Sequence, residues 1–370
     1  GNGWLDLLVT HEWGPIRVYL NHQGTLVDQT PQSGLAQLLG WWTGISGRDL
    51  DGDGDIDYVA SNFGLNTPYR ASKDSPVLLY YGNFDPNQQG QPRILEAIYE
   101  HDKLYPWRGK SCSTNAMPFL APQFKTFDAF AAATLPEIYS PAHLHDALQL
   151  AVNTLESVVL INDGSGRFTS HPLPRLAQAS PGFGLVLTEV TGDSHSDLYM
   201  VQNFFSPQPE TGHLDGGLSL LLRGDGHGMF SPMWPDQTGL IVPRDAKGLV
   251  TLDLNDDTKP DFVIATNNGP LLGFDHHGSA RFLTIRLVGR PGNLMATGSR
   301  VTVESHGMSN QTAEVYAGGG YLSQSSSTLT FGRGQNNSPY QVTVTWPDGA
   351  TSTQTIAPQT NAITISQPGQ

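Results

Sequence analysis

Cysteine is almost missing from this chain: Cys112 is the only one in 370 residues. No internal disulfide framework can form, so stability rests on packing and on any cations the chain binds, and Cys112 itself is expected to be a small buried hydrophobe. Charge is scarce too, at 15% Asp, Glu, Lys and Arg, and it is one-sided, with 20 basic residues against 34 acidic ones. A net charge of -14 argues against nucleic acid as a partner. No apolar run approaches the roughly 18 to 20 residues of a membrane span, and no signal peptide is seen at Gly1. Residues Gly1 to Asp6 read as the end of a loop, so a mature or excised fragment is expected.

What the chain has instead is glycine (41) and proline (26), which favour many short strands joined by tight turns. The expected class is all-β. A length of 370 residues suits two domains, or one large ring of sheets with an appendage.

One phrase recurs, an Asp followed by an apolar strand that ends near Asn or His. Its clear copies start at Asp6, Asp57, Asp197 and Asp261, and a weaker fifth spans Asp146 to Asn153. A second phrase follows each, an apolar strand entering a Gly-containing turn: Val18 to Gly24, Val159 to Phe168, Leu221 to Phe230 and Leu272 to Gly278. Asn, Asp and Gly accept the positive φ of short β-turns, so these are hairpin signals. A unit of this kind is one blade of a β-propeller. An insertion is expected from about 85 to 138, with a short helix where Thr126 caps an Ala-rich run. From Phe282 the pattern changes to alternating strands without Asp loops, such as Phe282–Val288, Ser299–Glu304 and Tyr340–Trp346, and a small β-sandwich-like domain is expected over 282–370.

The Asp loops carry the chemistry. In the run Asp49, Asp51, Asp53, Asp55, Asp57 a carboxylate recurs at every second position, so a curled loop can aim several oxygens at one point. Calcium suits such a site, because it takes six to eight hard oxygen ligands in irregular geometry. Asp49, Asp51, Asp53 and Asp57 are expected to offer side-chain oxygens and Asp55 its backbone carbonyl. This is not an EF-hand, since the twelfth position holds Ala60 rather than Glu. Eroded copies are Asp253, Asn255, Asp257 and Asp261, with Thr258 and Lys259 intruding, and Glu189, Thr191, Asp193 and Asp197, where a bare hydrogen-bonded turn is favoured over a metal site.

These loops and the strands after them resemble FG-GAP or VCBS repeats, the calcium-loop propeller units also found in integrin α-subunits. The tail pieces Gly298 to Val303, Ala317 to Gln324, Leu329 to Gly334 and Val344 to Gly349 resemble an ASPIC/UnbV domain. The pairing of the two is that of a cartilage acidic protein-like family, whose members usually carry more blades than the five counted here. The resemblance implies FG-GAP/VCBS-type propeller blades over 1–281, an ASPIC/UnbV domain over 282–370, bound Ca2+, and an extracellular or cell-envelope module for adhesion or interaction. It implies a protein or glycan ligand at the cell surface or extracellular matrix and no catalytic residues.

Some groups suggest an enzyme. His143 and His145 would share one face of a strand as metal ligands; the chain around them reads more simply as the start of a blade. His276 and His277 read as hairpin-turn residues. His101, Tyr105, Trp107, Arg108 and Lys110 could line a carbohydrate site, or serve as the insertion's own core. Trp41 and Trp42 read as strand residues with one ring inward, and Ala317 to Tyr321 as a bulge or a close backbone approach. No Gly-x-Ser-x-Gly elbow, phosphate loop or HExxH occurs. Binding rather than catalysis is expected, with a lectin or a polysaccharide-active enzyme using the inserted loops as the alternative.

Overall fold

The computed structural model describes residues 4–86, 90–208, 211–335 and 337–369. The expected loop end at Gly1 to Gly3 and part of the expected insertion, 87–89, lie outside the described residues. Among the described residues the frame is all-β: eight separate sheets of two to four strands, none closed on itself, with five short α-helices.

Each Asp loop joins two antiparallel strands. Ile45–Arg48 runs into Asp57–Ala60, Gly182–Thr188 into Asp197–Gln202, and Ala246–Leu252 into Asp261–Thr266. Pairing sets Arg48 opposite Asp57, Thr188 opposite Asp197 and Leu252 opposite Asp261. The residue before each loop is thus held across from the Asp that ends it. A third strand follows on the other side of each pair: Val158–Asn162, Leu220–Gly224 and Leu272–Phe274. The first two of these turn back as hairpins into Phe168–Pro172 and Phe230–Pro232. The hairpin expected at Leu272 to Gly278 does not form. There the His276 N–H donates to Asp261 Oδ1 (2.7 Å), which ties the chain to the loop before it leaves for strand Phe282–Val288. The N-terminal copy pairs Leu7–Val9 with Arg17–His22, which turns back into Thr25–Asp28 through Gln23 and Gly24, at φ 54° and 93°, a two-residue turn that needs positive φ twice.

These four sheets stack in chain order through shared cores. Ile16, Val18 and Trp42 meet Ala60 and Leu160; Leu50 and Val59 meet Leu185, Leu198, Met200 and Leu222; Val186, Tyr199 and Leu221 meet Phe262 and Ile264.

The excursion from the repeat is wider than the expected 85 to 138. It opens after Ala60 and returns at Val158, because Asp57–Ala60 pairs with Val158–Asn162 across the whole of it. Within it, Val77–Gly82, Arg93–Glu100, Lys103–Pro106 and Leu148–Val152 make a sheet of their own. The weak fifth copy belongs to this sheet and is not a further repeat: Asp146 ends helix Pro141–Asp146, and Leu148–Val152 pairs with Val77–Gly82. The expected helix is present as Phe127–Ala132, with the Thr126 side chain accepting from the Ala129 N–H (3.1 Å). Its Phe130 packs with Leu120, Leu135, Ile138 and Tyr139 under the sheet. Cys112 sits half-buried in helix Lys110–Ala116, not fully buried as expected.

After Phe282 two further sheets enclose one core. Leu329–Gly332, Phe282–Val288 and Ala362–Ser366 form one, and Gln311–Glu314, Arg300–Ser305, Tyr340–Thr345 and Thr351–Ile356 the other. Leu283, Ile285, Val301, Val303, Phe331, Tyr340 and Trp346 fill the space between them. The Gly-rich stretch makes the close approach expected of it. Gly320 and Ile45 exchange backbone bonds (2.8 and 3.3 Å), and a Cβ on Gly44 would stand 2.6 Å from Phe183 O and 2.8 Å from Gly320 O. The same stretch then reaches Leu249 O through Ser323 Oγ (3.1 Å) and Thr251 O through the Ser326 N–H (3.0 Å). It therefore meets the leading strands Ile45–Arg48 and Ala246–Leu252 and satisfies edge groups there that would otherwise be bare.

Candidate metal centre

Register alone places Asp49 beside Asp57, and the loop between them curls back on its own amides. Asp49 accepts from Gly52 N–H (2.8 Å) and Gly54 N–H (3.1 Å), Asp51 from Asp53 N–H (3.3 Å), and Asp53 from Asp55 N–H (2.8 Å). Gly52 and Gly54 hold φ at 83° and 92°, a conformation that costs other residues but not glycine. Asp57, fully buried, accepts from the Leu50 N–H (2.9 Å) and from the Asn162 N–H (2.8 Å) of the third strand, so one carboxylate ties loop, second strand and third strand together.

The result is that Asp49, Asp51 and Asp57 each bring an oxygen within 4.8 Å of the others. Two oxygens on opposite sides of a calcium ion at about 2.4 Å lie about 4.8 Å apart, so this donor set matches the reach of such an ion, and every donor is a hard oxygen. Asp53 does not join that group. The Asp55 side chain turns outward, with Oδ1 3.7 Å from Arg300 Nη1.

The other two loops repeat the backbone pattern with different contents. Glu189 accepts from Gly192 and Ser194 N–H (2.7 Å each), and Asp253 from Asp257 (3.1 Å) and Thr258 (2.8 Å). Asp197 accepts from Val190 and Thr191 (2.9 Å each) and from Gly224 (3.1 Å); Asp261 accepts from Leu254 (2.8 Å) and His276. Asp6 makes the matching bond to the Asn21 N–H (2.8 Å). In both later loops a basic side chain sits on the fifth position. Arg223 donates to Asp193 Oδ2 through Nε and Nη2 (2.8 and 2.6 Å), and Lys259 Nζ is 3.2 Å from Asp257 Oδ2. Asn255 accepts from the Asp257 N–H (3.1 Å), and the Thr191 hydroxyl donates to Glu189 Oε1 (3.4 Å). Positive φ recurs at Ser194 (76°), Asp256 (59°) and Thr258 (69°), where the first loop has Gly54, Gly52 and Gly54 in turn.

The electrostatics mark the 49–57 and 189–197 loops as short of positive charge. Burial pushes the Asp57 carboxyl up to about 7, against the pull of its two amide bonds and with the charges of Asp51 and Asp49 adding to the rise. Burial likewise raises Asp49 and Asp51, with Asp53 as a like-charged neighbour of each. Glu189 rises to about 8 and Asp197 to about 6, again through burial first. A divalent cation reverses this preference by stabilising the ionised carboxylates.

The remaining candidates do not converge. His143 and His145 lie on helix Pro141–Asp146, not a strand, so alternation does not align them. Ser140, whose side chain accepts from the His143 N–H (3.4 Å), and Pro141 at the first turn start that helix, and His145 is an exposed partner of Asp146 (3.3 Å). His101 is at a turn, Lys110 lies over the Phe127 ring, and Arg108 pairs with Glu96 (3.1 Å). Trp107 stacks on Tyr69 with ring centres 4.4 Å apart, and Tyr69 in turn packs edge-on to Trp41. Trp41 and Trp42 are both buried, each in a different core cluster. The insertion's aromatics therefore build its junction with the repeat sheets.

Arg48, Asn162, Arg223 and Arg300 were not marked by the sequence pattern. Arg48 is buried beside Asp49, donates through Nη2 to Thr330 O (2.6 Å) and lies over the Phe331 ring. Asn162, Arg223 and Arg300 each sit in a stretch that the sequence singles out, Val159 to Phe168, Leu221 to Phe230 and Gly298 to Val303, but nothing in those stretches marks them as partners of an Asp loop.

The FG-GAP-like repeat family model matches residues 1–60, and the ASPIC and UnbV family model matches residues 289–370. No curated protein matches. Among solved structures, a chain described as "Ca2+-stabilized adhesin helps an Antarctic bacterium reach out and bind ice" aligns over 94% of this chain and 81% of its own, at 10% identity. The TM-score of that alignment is 0.11.

Proposed function

We propose that this chain, which carries an FG-GAP-like repeat and an ASPIC/UnbV domain, is a calcium-stabilised binding module of the cell exterior or envelope, without catalysis of its own. On this reading the sheets of 1–281 are blades of a β-propeller, and 282–370 is an ASPIC/UnbV β domain seated on their leading strands. The observation that carries it is the convergence of Asp49, Asp51 and Asp57 at the closed end of a hairpin. A metal there holds the loop to the strand, because Asp57 ties the loop to the second and third strands. The loops at 189–197 and 253–261 are weaker calcium sites, because Arg223 and Lys259 already sit on their carboxylates.

The ligand is a protein or glycan of the cell surface or extracellular matrix, met by the inserted residues between Ala60 and Val158. No helix among the described residues is long and apolar enough to cross a membrane. The test is a glycan, polysaccharide and matrix-protein screen with and without chelator. Calcium-dependent retention without product supports the reading; release of depolymerised product would overturn it in favour of a polysaccharide-active enzyme.

A further inference from the structure

The first Asp loop is held from two sides. Its own hairpin supplies one, and the C-terminal sheets supply the other. The Asp49 N–H donates to Thr312 O (3.3 Å), a bond from the first proposed ligand into strand Gln311–Glu314. Arg300 Nη1 donates to Gly54 O (3.1 Å), at the turn whose N–H groups orient Asp49. Arg48, the residue before the loop, is bonded to Thr330 O. A cavity of about 320 Å³ lies between Asp49, Asp51, His195 and the C-terminal residues Ser309 and Asn310, so the loop's outer wall is C-terminal as well. Leu50, next to Asp49, also accepts from the Gly228 N–H (3.0 Å), which leaves the loop little freedom once the C-terminal sheets are seated.

We infer that the C-terminal domain sets the cation affinity of the Asp49–Asp57 loop, with Arg300 and the Thr312 carbonyl as positioning groups, and that cation binding in turn fixes the seat of that domain. The inference rests on the proposal that this loop binds calcium. Its physical basis is pre-organisation: Asp49 and the Gly52 to Gly54 turn are fixed by partners outside the hairpin, so less ordering remains to oppose the metal. Linkage then requires the effect to be equal in both directions.

Two variants test it in the full chain. Arg300→Gln removes a partly exposed cation from beside an acidic loop, so electrostatics alone would make calcium bind as well or better. The linkage predicts the opposite, a dissociation constant about tenfold higher, within the range usual for coupled sites. Gly332→Ala changes no charge; a Cβ there would stand 1.7 Å from Glu189 Oε2 and 2.8 Å from the Ser194 N–H, so it wedges the C-terminal sheet away from the repeat sheets. It too should weaken calcium about tenfold. The readouts are calorimetric titration with calcium, and hydrogen exchange over 300–314 with and without it. Calcium should protect that segment in the parent chain and protect it less in Arg300→Gln. Affinity unchanged or tighter in Arg300→Gln, with the parent chain binding calcium, overturns the linkage and leaves the metal site standing. Absence of saturable binding in the parent chain overturns the metal site and the linkage with it. Arg300 is partly exposed, so that variant still reports if Gly332→Ala does not fold.

Discussion

Asp51→Asn should stabilise this protein in chelator and destabilise it in calcium. Asp51 makes one weak loop bond, to the Asp53 N–H at 3.3 Å, and takes no part in the strand tie made by Asp57. Its oxygen lies within 4.8 Å of oxygens on Asp49 and Asp57. Two like charges about 5 Å apart repel by roughly 1 to 3 kcal/mol for effective dielectric constants between about 80 and 20. Because Asp51 is partly open to water, the lower half of that range applies, and removing its charge in chelator should gain about 1 to 2 kcal/mol. In calcium the same charge is a ligand. A cation at about a hundred times its dissociation constant adds about 2.7 kcal/mol, and a variant that binds about a hundredfold less tightly loses most of this. The net is a loss of about 1 kcal/mol. At roughly 2 to 4 °C per kcal/mol, the melting temperature should rise by about 3 °C in EGTA and fall by about 3 °C in excess calcium. Scanning calorimetry of parent and variant in both buffers reads the two shifts. A shift of the same sign and size in both would refute the reasoning, because it would make Asp51 a structural residue with no metal to serve.

Further outcomes follow from the same geometry. In chelator, lowering the pH from about 8 towards 5 should increase stability, measured by urea midpoints. The raised carboxyls of Glu189 (about 8), Asp57 (about 7) and Asp197 (about 6) hold more protons folded than unfolded across that window, and their contribution is lost as the pH rises through those values. Calcium should flatten or reverse the trend, since its ligands must be ionised. Thr258→Gly relieves a β-branched residue at φ 69° and should gain about 0.5 to 1 kcal/mol in denaturant unfolding after the entropy of glycine is set against it. Gly44→Ala places a Cβ 2.6 Å from Phe183 O and should cost about 1 to 3 kcal/mol, seen as a lower melting temperature.

Much of this was legible in the residues. The Asp spacing gives a loop whose ends must meet, and the Thr126 cap and the Asn, Asp and Gly turns carry local chemistry that a linear reading can use. The change of pattern at Phe282 is likewise local. What failed was long-range. Nothing near Asp146 tells which strand Leu148–Val152 will pair with, and its partner Val77–Gly82 is itself part of the excursion. His143-x-His145 fits a strand by alternation, and the competing signal, Ser140 followed by Pro141, won because it starts a helix. Arg223 lies 30 residues from Asp193, and Arg300 lies 246 from Gly54. Such contacts come from stacking one sheet on the next, which no periodicity within a single segment encodes.

The central claim is that Asp49, Asp51 and Asp57 hold calcium, and equilibrium titration of the parent chain beside Asp49→Asn tests it most directly. The account predicts one tight calcium site per chain, lost in Asp49→Asn, with any further sites weaker. Equal tight binding by both proteins, or no saturable binding by the parent, would contradict it.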